Sequence, residues 1–101
     1  AEGFRAQGCA ELLQHTYDIA NGLGETFRPP DDLTGRIVAR LFPWAPGADA
    51  HPDRWEALLW ACGRIALAGH ERLDPDWWVQ IAPLSEWDGQ RKIRTMPPSW
   101  Q

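Results

Sequence analysis

Three histidines (His15, His51, His70), two cysteines (Cys9, Cys62) and fourteen carboxylates are the residues of this 101-residue chain with the means for acid–base, nucleophilic or metal chemistry. Their spacing points away from all three. A zinc site normally shows Cys-x-x-Cys, His-x-x-x-His or His-Glu-x-x-His spacing, and none occurs. His51 precedes a predicted helix and His70 follows its end, where a cation suits the negative pole of the helix dipole. Acyl transfer needs a Ser, Cys or Thr beside a base and an oxyanion hole. The serines are Ser85 and Ser99, in turn and tail segments, and Cys62 lies in an apolar stripe. Both cysteines are expected to be reduced, buried thiols, with a disulfide as the alternative.

Carboxylates pair at Asp31-Asp32, Asp53/Glu56, Asp74/Asp76 and Glu86/Asp88. Most of these pairs sit near predicted helix starts, where acids stabilise the dipole without any catalytic role. The segment GLGET at 22–26 lacks the strand and the Lys of a phosphate-binding loop. The sequence predicts no cofactor, no metal and no enzyme activity.

The aromatic content is less ordinary. Trp44, Trp55, Trp60, Trp77, Trp78, Trp87 and Trp100 all follow residue 43. Each ring has roughly 150–250 Å² to bury and one N–H to satisfy. A small interior cannot hold them all, and exposed Trp often marks a binding face. Charge is uneven too. Net charge is −4, with fourteen acids against seven arginines through residue 89. Beyond it stand Arg91, Lys92 and Arg94 with no acid. Three cations make a small phosphate footprint, and an acidic body repels nucleic acid. Sugar stacking on Trp is typical of β-rich modules, which this chain does not resemble.

These side chains need elements to position them, and the periodicity supplies helices. Over residues 5–21, Cys9, Leu12, Leu13, Thr16, Ile19, Ala20 and Leu23 form an apolar stripe that Asn21-Gly22 ends. A Pro29-Pro30 connection leads to a second helix over 31–42. Asp31 or Asp32 caps it, Leu33, Ile37, Val38, Leu41 and Phe42 are buried, and Arg36 and Arg40 are solvated. The loop at 43–51 carries Trp44 as a lid. A third helix over 52–69 starts at Pro52 and Asp53. It buries Trp55, Leu58, Leu59, Cys62, Ile65 and Ala66, and Gly69 closes it. Trp60, Arg64 and Leu67 fall off that stripe. Asp74-Pro75-Asp76 starts a short fourth helix, WWVQIA, that ends before Pro83. Residues 90–101 read as a short extended segment or a basic tail. The expected fold is all-α: one domain over 1–101, an irregular bundle of about four helices. No apolar run is long enough to span a membrane, and a cytoplasmic location is expected.

Two stretches, DDLTGRIVARLFPW at 31–44 and DRWEALLWACGRIALAGHERLDPDWW at 53–78, resemble small uncharacterised proteins carried by phages and plasmids of proteobacteria. The likeness covers about 40 residues and rests on apolar spacing and Trp placement. It implies a mobile-element origin, and small acidic phage proteins of this size resemble host-defence inhibitors, anti-CRISPR proteins included. No anti-CRISPR motif is matched, so the resemblance transfers no residue roles.

The residues themselves point to a protein partner. Within 71–88, Trp77, Trp78 and Trp87 stand among Glu71, Asp74, Asp76, Glu86 and Asp88. Aromatic anchors inside an acidic rim suit a basic protein surface, a nucleoprotein complex included. Adjacent helical residues point about 100° apart, so one of Trp77 and Trp78 is expected inward and the other partly out. The expected partner-binding set is those eight residues with Trp60. Two alternatives stand beside it: homo-oligomerisation through the Trp-rich face, a homodimer included, and a small enzyme with an unrecognised site.

Overall fold

The structure is a computed structural model that describes residues 2–47, 49–67, 69–73 and 77–93. Among these residues the chain is helical: α1 (Glu2–Gly22), α2 (Asp31–Leu41) and α3 (Arg54–Ala61), followed by a single 3₁₀ turn at Leu84–Glu86. The described residues form no strand, only isolated antiparallel bridges between Leu67 and His70 and between Trp77 and Ile93. No described helix is long and apolar enough to cross a membrane. α2 is the middle element and packs against both α1 and α3.

α2 forms as its pattern predicts. Ile37, Val38, Leu41 and the following Phe42 are buried and meet Leu58, Leu59 and Cys62 in one core. Its start departs from expectation. Neither Asp31 nor Asp32 caps it: Pro30 holds the cap position without a side-chain bond. Thr34 instead turns its hydroxyl back to donate to the carbonyls of Pro30 and Asp31. Arg40 is not solvated like Arg36. Its guanidinium is largely buried, donating to Glu2 Oε1 (2.6 Å) and to the carbonyls of Gln80 (2.7 Å) and Ile81 (2.8 Å). One cation thus fastens the start of α1 and the 80–81 backbone to α2.

α3 starts at Arg54, two residues later than expected, and stops early. Asp53 caps it by accepting the Glu56 N–H at 3.1 Å. The end is set by Gly63, at φ +71°, and not by Gly69. Gly63 N–H reaches the Trp60 carbonyl (2.9 Å) and Arg64 N–H the Leu59 carbonyl (2.8 Å), the paired bonds of a left-handed helix stop. The end of α1 repeats this at Gly24, two residues past the expected stop at Gly22. Gly24 N–H donates to Asn21 and Glu25 N–H to Ala20.

The face of α1 is rotated: of the expected stripe Leu13 is buried and Thr16 and Ala20 are half-buried, but the rest turns outward. Gly3, Ala10, Leu13 and Gln14 are buried, with Ala6, Tyr17 and Ala20 half-buried. Leu12, Ile19 and Leu23, expected inside, are exposed, and so is the Cys9 thiol. The small side chains at Gly3, Ala6 and Ala10 bring the first half of α1 close to its neighbours. Cys62 is buried as expected, and both thiols are free.

The expected fourth helix is not formed over 77–82, and its proposed start, Asp74 to Asp76, lies outside the described residues. A helix of about six residues closes few internal hydrogen bonds. The segment is extended instead. Trp78 N–H donates to the Lys92 carbonyl (3.2 Å) and Gln80 N–H to the Leu41 carbonyl at the end of α2 (2.8 Å).

Candidate functional site

The expected partner-binding residues do not converge on one open aromatic face. Trp60 has a core position after all: it is buried, and its indole N–H donates to the Glu71 carbonyl at 2.9 Å. Its ring meets His70 edge-on at 5.5 Å, and His70 meets His51 at 5.4 Å. Trp77 is half-buried, 6.2 Å from the Phe42 ring and lying over Gly63. Trp78 is half-buried as well. Trp87 donates its N–H to the Gln90 carbonyl (2.8 Å) and leans on Trp44, which packs edge-on against Phe42. Trp77, Phe42, Trp44 and Trp87 thus form a continuous aromatic chain.

Glu71, Glu86 and Asp88 remain exposed. Asp88 accepts the Gln90 N–H at 2.9 Å and lies 3.7 Å from Lys92 Nζ. The backbone N–H, with Lys92 behind it, holds this carboxyl below its ordinary value. Asp74, Asp76, Arg94, Ser99 and Trp100 fall outside the described residues.

A different cluster of aromatics and acids is assembled by three elements. Tyr17 comes from the inner side of α1, Phe27 from the connection after it, and Trp55 from the first turn of α3. Tyr17 and Phe27 both meet Trp55 edge to face, with ring centroids 5.9 and 5.8 Å away. They line a cleft of about 340 Å³ floored by Leu59 and Ile65. That volume is at the low end of ligand pockets, about 300–1,000 Å³. It suits one side chain or a small head group better than a large cofactor.

The rim of this cleft is polar, with Asn21, Glu25, Thr26, Arg28 and Glu56. The Arg28 charge is already engaged. Its guanidinium donates to Asp53 at 2.7 Å and reaches Asp31 at 3.4 Å. That contact, with the Glu56 N–H, holds the Asp53 carboxyl below its usual range. Glu25 and Glu56 stay exposed at the mouth. The local balance is therefore negative around aromatic walls.

A cleft of this kind can hold an organic cation. Ring faces attract ammonium or guanidinium groups, and a carboxylate at the mouth adds a directed charge. Sequence reasoning placed Trp55 in the core but left Phe27 in a featureless connection. The available signal was a lone aromatic ahead of Pro29-Pro30, where the chain must turn back over the core.

A second groove of about 480 Å³ runs between α1 and α2, lined by Arg5, Cys9, Leu33, Arg36 and Ile37 among others. Among the described residues, no group of three or more His, Cys, Asp or Glu side chains is placed to hold a metal ion. Compared with known protein families, curated proteins and solved structures, the chain matches none.

Proposed function

We propose that this chain is a small protein-binding module that occupies a basic surface of a larger protein or nucleoprotein complex. A Lys or Arg of the partner enters the cleft of Tyr17, Phe27 and Trp55, and Glu25 and Glu56 hold its charge. The observation that carries this reading is the pairing of an aromatic-walled cleft with exposed carboxylates whose neighbouring cation, Arg28, is already neutralised. The acidic body through residue 89 supports it by steering basic partners inward. Glu71, Glu86 and Asp88 are exposed as well and add acidic surface outside the cleft. An inhibitor carried by a phage or plasmid, acting by covering a basic face of a host machine as anti-CRISPR proteins do, is the biological role we attach to this chemistry.

The test is a titration of the isotopically labelled chain with a short oligo-arginine peptide, followed by NMR at the Trp55 indole. An oligo-glutamate peptide of equal length is the control. Binding should weaken as salt screens the rim charges. Glu25→Lys combined with Glu56→Lys should weaken it by about tenfold or more, roughly 1.4 kcal/mol. Phe27→Ala should do the same through the lost ring. Equal binding of both peptides, or binding unmoved by the charge reversal, refutes the assignment.

A further inference from the structure

The outward face of α1 carries what its inward face lacks. At about 100° per residue, Phe4, Gly8, Leu12, His15, Ile19 and Leu23 fall within a single arc of roughly 100°. The buried residues of α1 lie diametrically opposite. Phe4, Leu12, Ile19 and Leu23 are 68%, 67%, 65% and 73% exposed. Leu23 still belongs to the stripe, because its N–H donates to the Ile19 carbonyl at 3.1 Å. Four large apolar side chains therefore stand in one line along about 28 Å of helix, with nothing among the described residues covering them. Isolated exposed apolar residues need no explanation, but a contiguous line of them marks an interaction surface.

Gly8 is a second observation on the same line. A glycine inside a helix costs roughly 0.5–1 kcal/mol relative to Ala and lets another surface approach its backbone closely. A Cβ at Gly8 would meet nothing within 4 Å, so nothing among the described residues requires it. The gap it leaves lies between Phe4 and Leu12, open to solvent.

We infer that this face pairs α1 with α1 of a second copy, antiparallel, to form a homodimer. The stripe runs at steps of four, four, three, four and four residues, a pattern that reads the same from either end, as an antiparallel two-fold requires. With the axis between Leu13 and Gln14, Phe4 faces Leu23, Gly8 faces Ile19 and Leu12 faces His15, each pair occurring twice. The gap at Gly8 receives the partner's Ile19.

The gap at Gly8 chooses the same orientation, because a parallel pair would set one glycine gap against the other and Ile19 against Ile19. Glu11 and Asp18 lie on one edge of the stripe and meet the same edge of the partner, a like-charge cost that salt screens. The size is adequate too. Four side chains two-thirds exposed, with their flanking residues, bury roughly 500–700 Å² per copy, and a specific interface starts near 1,000 Å² in total. This face is separate from the Trp-rich segment. It is also separate from the cleft, because Tyr17 and Asn21 leave α1 on its opposite side. The dimer would therefore carry two open clefts, but it does not depend on what they bind.

The experiment is sedimentation of the whole chain from about 1 μM to about 1 mM. The expected result is a rise from 11.4 kDa to twice that mass. Leu12→Glu combined with Ile19→Glu should weaken association by about 100-fold or more while circular dichroism stays unchanged, since both side chains are exposed. Gly8→Leu should also abolish the dimer by filling the gap, and because Leu favours a helix over Gly the monomer stays folded. Nitroxides on Cys9 report orientation: antiparallel copies place them about 13 Å apart along the axis, and parallel copies place them side by side. A monomer at every concentration, a dimer that survives either variant, or side-by-side labels would overturn the inference.

Discussion

One substitution made twice on the same helix gives opposite results. Gly3 is buried, and a Cβ there would lie 1.9 Å from the Ile81 carbonyl oxygen, 2.9 Å from its carbon and 3.0 Å from Arg40 Nη2. Ordinary contact begins near 3.4 Å, so the 81 backbone or the start of α1 must move by roughly 1.5 Å, a shift of the kind that overpacking forces. The movement pulls the Ile81 carbonyl away from Arg40 Nη2, which donates to it at 2.8 Å. Overpacking costs about 1–3 kcal/mol, and a weakened hydrogen bond to a charged group adds to that, since such bonds are worth about 1.5–3 kcal/mol when intact. The helix-propensity gain of Ala over Gly, at most about 1 kcal/mol, offsets only part. Gly3→Ala should therefore destabilise by about 1–3 kcal/mol, lowering Tm by about 5–20 °C at this chain length. Gly8→Ala meets nothing and keeps the whole propensity gain. It should stabilise by about 0.5–1 kcal/mol, raising Tm by about 3–6 °C. Thermal and urea denaturation at low micromolar concentration read both on the monomer. A stabilising Gly3→Ala would show that α1 is not docked on Arg40 and the 80–81 segment, and the packing described for the α1 face would be wrong.

Asp53 joins two structures, since it caps α3 and accepts from Arg28. Asp53→Ala should cost about 1–2 kcal/mol in urea denaturation at neutral pH. Because the folded carboxyl lies below its ordinary value, its charge-dependent stabilisation is full above the unfolded pKa of about 3.9. That part is lost as pH falls through the depressed folded value. Asp53→Asn keeps a capping side chain without the charge, so its stability difference from wild type should shrink toward zero in acid; a difference that persists there contradicts the linkage. The thiols should separate by reactivity: Cys9 is exposed and Cys62 is buried, with its pKa pushed up by desolvation. Under Ellman titration, Cys9 should react in the folded chain and Cys62 only after unfolding. Rapid reaction of both without denaturant would contradict the placement of Cys62 in the core.

Three of the four expected helices were legible in the sequence, and helix orientation only partly. The face of α2 followed its periodicity, because Ile37, Val38, Leu41 and Phe42 form one apolar arc that Arg36 interrupts from outside. α1 carries two apolar arcs, one of small residues and one of large. Hydrophobicity ranks the large arc as core, but close helix approach needs the small one at Gly3, Ala6 and Ala10. Nothing in one strand of sequence says that Ile81 and Arg40 will sit against Gly3. The stop of α3 was misplaced because Gly63 and Gly69 look equivalent by residue type. Only Gly63 closes the paired bonds to Trp60 and Leu59. The cleft was invisible because Tyr17, Phe27 and Trp55 come from three segments and meet only in the folded chain.

The tryptophans follow from the same limit. Beyond α3 the described backbone has isolated bridges and a single 3₁₀ turn to hold it. A segment without a helical or sheet ladder must be fixed by side chains, and Trp suits this because each ring has both a large apolar area and one directed donor. Trp60 and Trp87 use both properties: the rings pack while the N–H groups bond the carbonyls of Glu71 and Gln90. Trp77 and Trp44 extend the packing through Phe42. An aromatic surplus concentrated after residue 43 is therefore what an irregular segment needs to stay on a small helical core. It does not by itself require a binding face. The more informative ring for binding is Trp55, which composition assigns to the core. It is buried, yet it forms a wall of the cleft whose rim holds Glu25 and Glu56. The proposed recognition at this site rests less on exposed indole than on charge placed beside a buried ring. A Phe at position 55 would keep an aromatic wall, whereas Leu would keep apolar bulk and lose the ring face. Cation binding that tolerates Phe and fails with Leu would distinguish an electrostatic role of the ring from simple burial.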